Sequence, residues 1–270
     1  METVFETFKP KNPKVSTYVD YYYLDIKPHN KSHQFKCFPH YNNTISIYSS
    51  HRFLEAPTVT FDENEDRFLI FTPIREKVLH VKQLGKVHRV VIVFHPLGIQ
   101  QFFKNLNTGR IVTDFEFFEK EELNRLFATA DVNELTHLLD GFLEKRYTPF
   151  EHQVLQKSLA YIYEHFEEFS VSDLSKHLNI SRQHLNRLFK SHLGVSAKKF
   201  QEIFLFRKTI NKRLFDRSDE SLTRLAYEFN FSDQSHFNKT YKNLTNNSPR
   251  AFFKKGTLLG TQDTFWHLQS

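Results

Sequence analysis

The amino-acid sequence predicts a two-domain α+β protein, with a β-rich N-terminal half, helices after it, and an all-α C-terminal part. Three observations predict this division. Short β-branched and aromatic runs fill residues 1–95, and helical spacing of apolar residues dominates after them. The charge is uneven: residues 1–150 hold 19 Lys/Arg and 19 Asp/Glu, whereas residues 151–255 hold 18 Lys/Arg and 11 Asp/Glu. A basic segment of this kind indicates a polyanionic partner, although a solvated basic surface would have the same composition.

The β-rich half is predicted from runs of Val, Ile, Thr, Tyr and Phe that are separated by turn residues. The predicted strands cover residues 18–26, 44–48, 58–61, 67–72 and 88–94. Many short strands of this kind favour an antiparallel barrel or sandwich.

Helices are predicted over residues 97–106, 119–130 and 132–146. The last of these has an apolar stripe on one face, formed by Leu135, Leu138, Leu139, Phe142 and Leu143. Two interpretations stay open, since such a stripe packs either against a second copy of the chain or against the sheet of its own chain. A linker is predicted at Tyr147–Pro149, because the residue before a proline resists helix.

A first pair of short helices is predicted from their capping residues. Ser170 caps one helix, with Asp173 three residues later in the manner of a capping box. Asn179 suits the left-handed turn conformation, and Ser181 caps a second helix over residues 182–190. Gly194 lies just past its end. Two short helices about a tight turn indicate a helix-turn-helix unit.

The outer face of the second helix has residue types that suit DNA. They are Arg182, Gln183, Asn186, Arg187 and Lys190. Arg can bridge guanine and Asn or Gln can bridge adenine, each pair giving about 1–3 kcal/mol of discrimination. The alternative is an amphipathic helix with an ordinary solvated face.

A second unit repeats this pattern. A helix that begins after Ser221 is followed by a turn at Asn230 and Phe231, and Ser232 opens another helix over residues 233–242. That helix leaves five side chains outside: Gln234, Ser235, Asn238, Lys239 and Lys242. A connecting helix over residues 198–214 would fix the spacing of the units; at ~34 Å, both could enter successive major grooves.

These residues resemble the AraC/XylS family of bacterial transcription regulators, over Ser158 to Lys255. The match rests on "Leu-x3-Leu-x-Ile-Ser" with "Leu-x2-Leu-Phe-Lys" in the first unit, and "Phe-x2-Gln-Ser-x-Phe-x3-Tyr-Lys" in the second. The resemblance implies base contacts by Arg182, Gln183, Asn186, Arg187, Gln234, Ser235, Asn238 and Lys239. It implies phosphate contacts by Lys190, Lys242, Ser181 and Ser232. The chain departs from the family pattern at Asn230, where glycine before Phe is usual, and at Asn247-Ser248-Pro249, which replaces a more usual Gly-x-Thr-Pro.

The stretch Val90 to Phe102 with the helices after it is similar to the cupin-like N-terminal domains of some AraC-type regulators. The resemblance implies a sensory or dimerisation domain over residues 1–150, a DNA-binding domain over residues 151–255, and a tail over residues 256–270. Promoter DNA is the expected partner; a small effector, RNA polymerase and a second copy of the chain are further candidates. The tail carries Phe265 and Trp266, which could dock on either domain.

Other functions receive less support from the residues. A cupin-type metalloenzyme would need converging ligands, and the histidines follow no such spacing: His29, His33, His40, His51, His80, His88 and His95. Neither a metal nor a cofactor is expected, and Cys37 is interpreted as a small buried hydrophobe. A DNA-coating protein without sequence preference is a third candidate. The charged first residues and the lack of long apolar runs predict a soluble, cytoplasmic protein without a membrane span.

Overall fold

A computed structural model describes residues 2–55, 58–104, 106–113, 115–166, 170–216, 221–229, 231 and 233–269. Its strands are β1 (Val4–Phe8), β2 (Val19–Lys27), β3 (Ser32–Cys37), β4 (Asn43–Tyr48), β5 (His51–Glu55), β6 (Thr58–Phe61), β7 (Phe68–Thr72), β8 (Leu79–Leu84), β9 (Val87–Phe94), β10 (Val112–Thr113), β11 (Thr257–Leu258) and β12 (Phe265–Gln269). Its helices are α1 (Pro13–Ser16), α2 (Lys120–Phe127), α3 (Val132–Arg146), α4 (Gln153–Glu164), α5 (Val171–His177), α6 (Arg182–Leu193), α7 (Ala197–Phe215), α8 (Leu222–Glu228), α9 (Gln234–Thr245) and α10 (Pro249–Lys255). The predicted β-rich half and all-α part are confirmed.

The strands form two six-stranded sheets. The first has the order β1-β2-β9-β4-β7-β10 and the second has the order β11-β12-β3-β8-β6-β5. Neighbouring strands are antiparallel except β6 and β8, which are parallel. The five predicted strands correspond to β2, β4, β6, β7 and β9. The expectation of a wholly antiparallel arrangement is wrong at the β6–β8 pair.

Alternation along the first sheet gives it two apolar faces. One face carries Tyr22, Leu24 and Ile26 of β2 and packs against α2 and α3. The opposite face carries Tyr21 and Tyr23, which meet side chains of the second sheet. The apolar stripe of α3 is fully buried, since all five of its side chains pack in the core between the first sheet and helices α2 and α3. The stripe therefore covers the sheet of its own chain, and the interpretation as a dimer surface is wrong.

The predicted helix over residues 97–106 is wrong, since the described residues of this range form only a 3-10 turn at Ile99–Gln101. Tertiary contacts explain the difference. A Cβ at Gly98 would lie 2.1 Å from the carbonyl oxygen of Tyr18, so this close approach requires glycine. Leu97 has a positive φ of 65°, which a helix residue does not adopt. The side-chain amide of Gln101 bonds to the backbone of Phe150. Its Oε1 accepts from the Phe150 N–H and its Nε2 donates to the Phe150 carbonyl.

The helical part contains two cores, and each also takes residues from the β-rich half. The first core joins α4, α5, α6 and the first turns of α7, with Ile74 and Leu97 inserted from the β-rich half. The second joins α8, α9, α10 and the rest of α7, with Phe38 inserted in the same way. The two halves of the chain are therefore packed together through apolar contacts, and α7 spans both cores.

Residues 256–269 fold back as a hairpin of β11 and β12, called the 256–269 hairpin below. β12 pairs with β3 in antiparallel register, with His267 opposite Lys36. Phe265 enters the second helical core, where its ring lies 5.2 Å from that of Phe252. Trp266 points the other way and stacks on Phe35 between the sheets, with ring centroids 4.6 Å apart. The hairpin thus docks on both halves.

A buried ion pair links the hairpin to α7. Arg207 is 2% exposed, and its Nη1 donates to Asp263 Oδ1 at 2.9 Å. Its Nε and Nη2 donate to the carbonyls of Pro39 and Phe38 at 2.6 and 2.9 Å. Burial alone would raise the pKa of Asp263, but the Arg207 guanidinium holds it at about 2. One side chain of α7 therefore holds the β3–β4 loop and the hairpin together.

His40 completes this cluster as a neutral imidazole. Its Nδ1 accepts from the backbone N–H of Asn42 at 3.0 Å, so its Nε2 carries the proton and donates to Asp263 Oδ2 at 3.1 Å. Burial, followed by the charge of Arg207, lowers the pKa of His40 to about 4. The folded protein thus binds the His40 proton less readily than the unfolded chain does.

Acidification should therefore destabilise the protein through His40. Its folded pKa lies below the unfolded value of about 6.5, so the stabilisation is complete above that pH and is lost as pH falls towards 4. Between pH 7 and pH 5 we expect a loss of about 2 kcal/mol in the free energy of unfolding from this group. Urea unfolding of wild type and His40→Gln at both pH values measures it. A pH dependence equal in the two proteins would contradict the assignment.

Candidate nucleic-acid interface

The first helix-turn-helix unit consists of α5, a tight turn and α6. The Ser170 hydroxyl accepts from the N–H of Asp173, and the Asp173 carboxylate accepts from the N–H of Ser170, which is the predicted capping box. Asn179 has a positive φ of 51°, as its place in the turn predicts. Ser181 caps α6 by accepting from the N–H of His184. Helix α6 continues to Leu193, past the predicted end at residue 190, and Gly194 closes it with a φ of 77°.

The second unit repeats the turn with the same backbone bond. The N–H of Ile180 donates to the carbonyl of Ser175 at 3.0 Å, and the N–H of Phe231 donates to the carbonyl of Ala226 at 3.0 Å. Both acceptors belong to small buried residues, which let the two helices of each unit approach closely. The bond spans five residues in each case, so the two units share one turn geometry.

The second unit has one more residue between this turn and its second helix. Asp233 is the N-cap of α9 and accepts from the N–H of His236 at 2.7 Å, so the prediction that Ser232 opens the helix is wrong. A carboxylate at this position also complements the positive end of the helix dipole. The predicted turn residue Asn230 and the phosphate contact at Ser232 lie outside the described residues.

Most of the predicted base-reading side chains are exposed on one face of α6 and one face of α9, at equivalent positions counted from the two N-caps. In α6 the exposed ones are Arg182, Gln183 and Arg187. In α9 they are Gln234, Ser235, Asn238 and Lys239. Counted from each N-cap, Arg182 matches Gln234, and Arg187 matches Lys239. The two helices therefore present three matching positions to solvent with different side chains, and the fourth position is exposed only in α9.

Asn186 differs from its counterpart Asn238. It is half-buried, and its Oδ1 accepts from the N–H of Ala197, the first residue of α7. The matching residue of the second unit is Pro249, which has no N–H to donate. Asn238 therefore cannot make this bond, and its amide stays exposed. The structure places Asn186 in the joint between α6 and α7.

Three of the four predicted phosphate-contacting side chains are described, and all three are exposed. Lys190 and Lys242 are exposed in the last turns of α6 and α9, and Ser181 is exposed at the N-terminus of α6. The Oγ of Ser181 already caps the helix, but its hydroxyl proton stays available for an anion. Helix N-termini with free N–H groups favour phosphate.

His184 of α6, which is not among the predicted site residues, is half-buried next to Arg187. Its Nδ1 is 2.9 Å from Arg187 Nη2, so the two side chains are already in contact before any ligand binds. A signal was present in the sequence, because His236 occupies the same position after the N-cap of α9. Both helices therefore have a histidine at their third position, and neither histidine is among the predicted site residues.

Other kinds of site receive no support from the described part of the chain. Within it, no group of three or more His, Cys, Asp or Glu side chains is arranged to hold a metal ion. Among the same residues, no helix has the length and apolar character needed to cross a bilayer. Cys37 is buried between the sheets, where burial raises the pKa of its thiol.

Comparisons with known proteins agree with this geometry. Residues 174–255 match the family model of a helix-turn-helix domain. The transcriptional activator RhaS of Salmonella schwarzengrund (strain CVM19633) is 30% identical over 97 residues, which are 36% of this chain and 34% of that protein. An uncharacterised helix-turn-helix-type transcriptional regulator of Staphylococcus aureus (strain MSSA476) is 35% identical over 95 residues, which are 34% of this chain and 12% of that protein. The chain thus spans about a third or less of the length of these relatives.

Solved structures show similar arrangements at low identity. ToxT of Vibrio cholerae O395, bound to (E)-4-(8-methylnaphthalen-1-yl)but-3-enoic acid, is 13% identical with a TM-score of 0.48, over 94% of this chain and 99% of that one. The C-terminal domain of AraT, a response regulator from Geobacillus stearothermophilus, is 19% identical with a TM-score of 0.36, over 42% and 93%. Both TM-scores lie below 0.5.

Proposed function

We propose that this chain, whose residues 174–255 form a helix-turn-helix domain of the AraC type, is a sequence-specific regulator of transcription and not an enzyme. Its partner is promoter DNA in the bacterial cytoplasm. The observation that carries the proposal is the pair of exposed polar faces on α6 and α9 at matching positions. Two such helices suit successive major grooves on one side of a duplex.

The base-reading roles follow the exposed side chains. Arg182, Gln183 and Arg187 of α6 can form bidentate or single bonds to base edges, and so can the exposed face of α9. We assign Asn186 to positioning, because its Oδ1 already accepts from Ala197. Since the exposed face of α6 has two arginines and that of α9 has none, we propose that the first unit provides more of the base discrimination.

The β-rich half is proposed to be the regulatory domain, over residues 1–150. Support comes from its contacts with α7, since Arg207 bonds to the carbonyls of Phe38 and Pro39. A ligand or partner that shifts this loop would shift the helix that connects the two units. A dimer, if it forms, uses a surface other than the α3 stripe, which is buried within one chain. RNA polymerase remains a further candidate partner.

Two substitutions separate base reading from phosphate binding. Arg187→Ala should weaken binding to the specific site by about 1–3 kcal/mol and relax the preference at one base pair. Lys242→Ala should weaken binding to all duplexes alike and reduce the slope of affinity against salt by about one. The specific site comes from selection on a randomised duplex library, and affinity is measured by fluorescence anisotropy.

Controls make this test decisive. Lys120→Ala removes an exposed lysine of α2, far along the chain from both units, and should leave DNA binding unchanged. Equal effects of Arg187→Ala and Lys242→Ala on every duplex would refute the division of roles. If selection returns no preferred sequence, the chain coats DNA without preference and the proposed function is wrong.

A further inference from the structure

A cavity of about 90 Å³ lies between the two sheets of the β-rich half. Its walls are mostly apolar and aromatic, with the hydroxyl side chains of Thr44, Ser46 and Thr72 along one sheet. The ring of Trp266 from the 256–269 hairpin forms part of the wall. Ile111, which also lines the cavity, is 38% exposed, so this end meets solvent.

Two arginines line the cavity, and one has an unused hydrogen-bond donor. Arg89 is 4% exposed; its Nε donates to Asp25 Oδ2 at 2.9 Å and its Nη1 donates to the Tyr48 hydroxyl at 3.2 Å. Its Nη2 is buried and has no partner among the residues that the structure describes. A buried guanidinium donor without an acceptor is unfavourable, so an acceptor in the cavity would stabilise it.

The charges around the cavity favour an anion. Asp25 accepts from both Arg89 and Lys27, so its charge is already compensated. Arg75 also lines the cavity, and burial, opposed in part by Cys37, lowers the pKa of its guanidinium. Among the lining residues that are described, two are arginines and none is Asp or Glu. The single carboxylate of Asp25 is thus shared between Arg89 and Lys27, so together with Arg75 the groups at the cavity carry an excess of positive charge.

We propose that this cavity binds a small organic carboxylate, whose oxygens accept from Arg89 Nη2 and from Arg75 and whose carbon chain packs on the aromatic walls. The inference rests on the proposed function, for which it names the class of effector. Arginine and carboxylate form strong charge-assisted bonds in such surroundings. Because a cavity of ~150 Å³ holds benzene, one of about 90 Å³ suits an acid of roughly two to four carbons.

The single tryptophan of the chain reports on occupancy, because Trp266 lies in the cavity wall. The experiment titrates the full chain with sodium propionate, with propionamide as the uncharged analogue and sodium chloride at matched ionic strength, and follows tryptophan fluorescence and calorimetric heat. We expect saturable binding of propionate only. Arg75→Met and Arg89→Met should each weaken it about tenfold or more, whereas the exposed Arg250→Met should not.

Each other result overturns the proposal. Equal binding of propionamide excludes recognition of charge, and equal binding of chloride excludes recognition of a carboxylate. Unchanged affinity in Arg75→Met excludes this cavity, and that variant decides the matter if Arg89→Met fails to fold. The titration contains no DNA, so a lack of propionate binding would not contradict the proposed DNA binding. Equally, a lack of DNA binding would not contradict propionate binding.

Discussion

Replacing Arg207 with methionine should lower the free energy of unfolding by about 3–5 kcal/mol, because the change leaves Asp263 as an uncompensated buried charge. It also removes the donors to the carbonyls of Phe38 and Pro39, which are then left without these bonds. Methionine keeps much of the apolar volume, so the loss reports the ionic and hydrogen-bonding contacts. Urea unfolding, followed by Trp266 fluorescence and by circular dichroism, measures it.

Two further variants test the cause of this loss. Adding Asp263→Asn to Arg207→Met should recover part of the stability, since no charge is then left buried. The exposed Arg250→Met should change the free energy of unfolding by less than about 0.5 kcal/mol. A loss of under 1 kcal/mol in Arg207→Met, or no recovery in the double variant, would show that the buried ion pair does not hold α7 to the hairpin.

Phe252→Ala should destabilise the protein by about 3–5 kcal/mol, the usual range for removal of a buried phenylalanine ring. The Phe252 side chain is fully buried, and its ring lies 4.7 Å from that of Phe38, 5.5 Å from that of Tyr241 and 5.2 Å from that of Phe265. These neighbours belong to the β3–β4 loop, α9 and the 256–269 hairpin. The cavity left behind would loosen all three, and thermal unfolding by calorimetry measures the cost.

Phe215→Ala is the matched control for Phe252→Ala. It removes the same ring at the end of α7, where the side chain is 40% exposed, and should cost less than about 1 kcal/mol. Comparable losses in the two variants would contradict the central place of Phe252 in the second helical core.

The sequence was most informative where local chemistry decides the conformation. Ser170 with Asp173, Asn179 and Gly194 each act on backbone groups within a few residues, so the first unit could be predicted nearly to its ends. The second unit was displaced by one residue at its N-cap. Ser232 and Asp233 are both good capping residues, and the sequence alone did not distinguish between them.

Features that depend on distant contacts could not be predicted. The segment 97–106 has helical spacing, but Leu97 has a positive φ, Gly98 lies against the backbone of Tyr18, and the described residues form only a 3-10 turn. Strands β3 and β8 contain Lys, His and Gln and show weak patterning. They are stabilised by pairing with each other, and by the pairing of β3 with β12 and of β8 with β6. The residues next to Asn186 in the sequence also do not indicate that its Oδ1 accepts from the N–H of Ala197.

Because the 256–269 hairpin is synthesised last among the described strands, the β-rich half cannot complete its second sheet until synthesis is nearly finished. Thr7 and Thr261 share a hydrogen bond although they are 254 positions apart, and one edge of β3 is paired only by β12, around residue 267. At roughly 5–20 residues per second, a growing chain keeps that edge unpaired for on the order of tens of seconds. An unpaired strand edge can pair with strands of other chains and so promote aggregation. Yield during expression should therefore depend on chaperones that shield the nascent β-rich half until the last strand arrives.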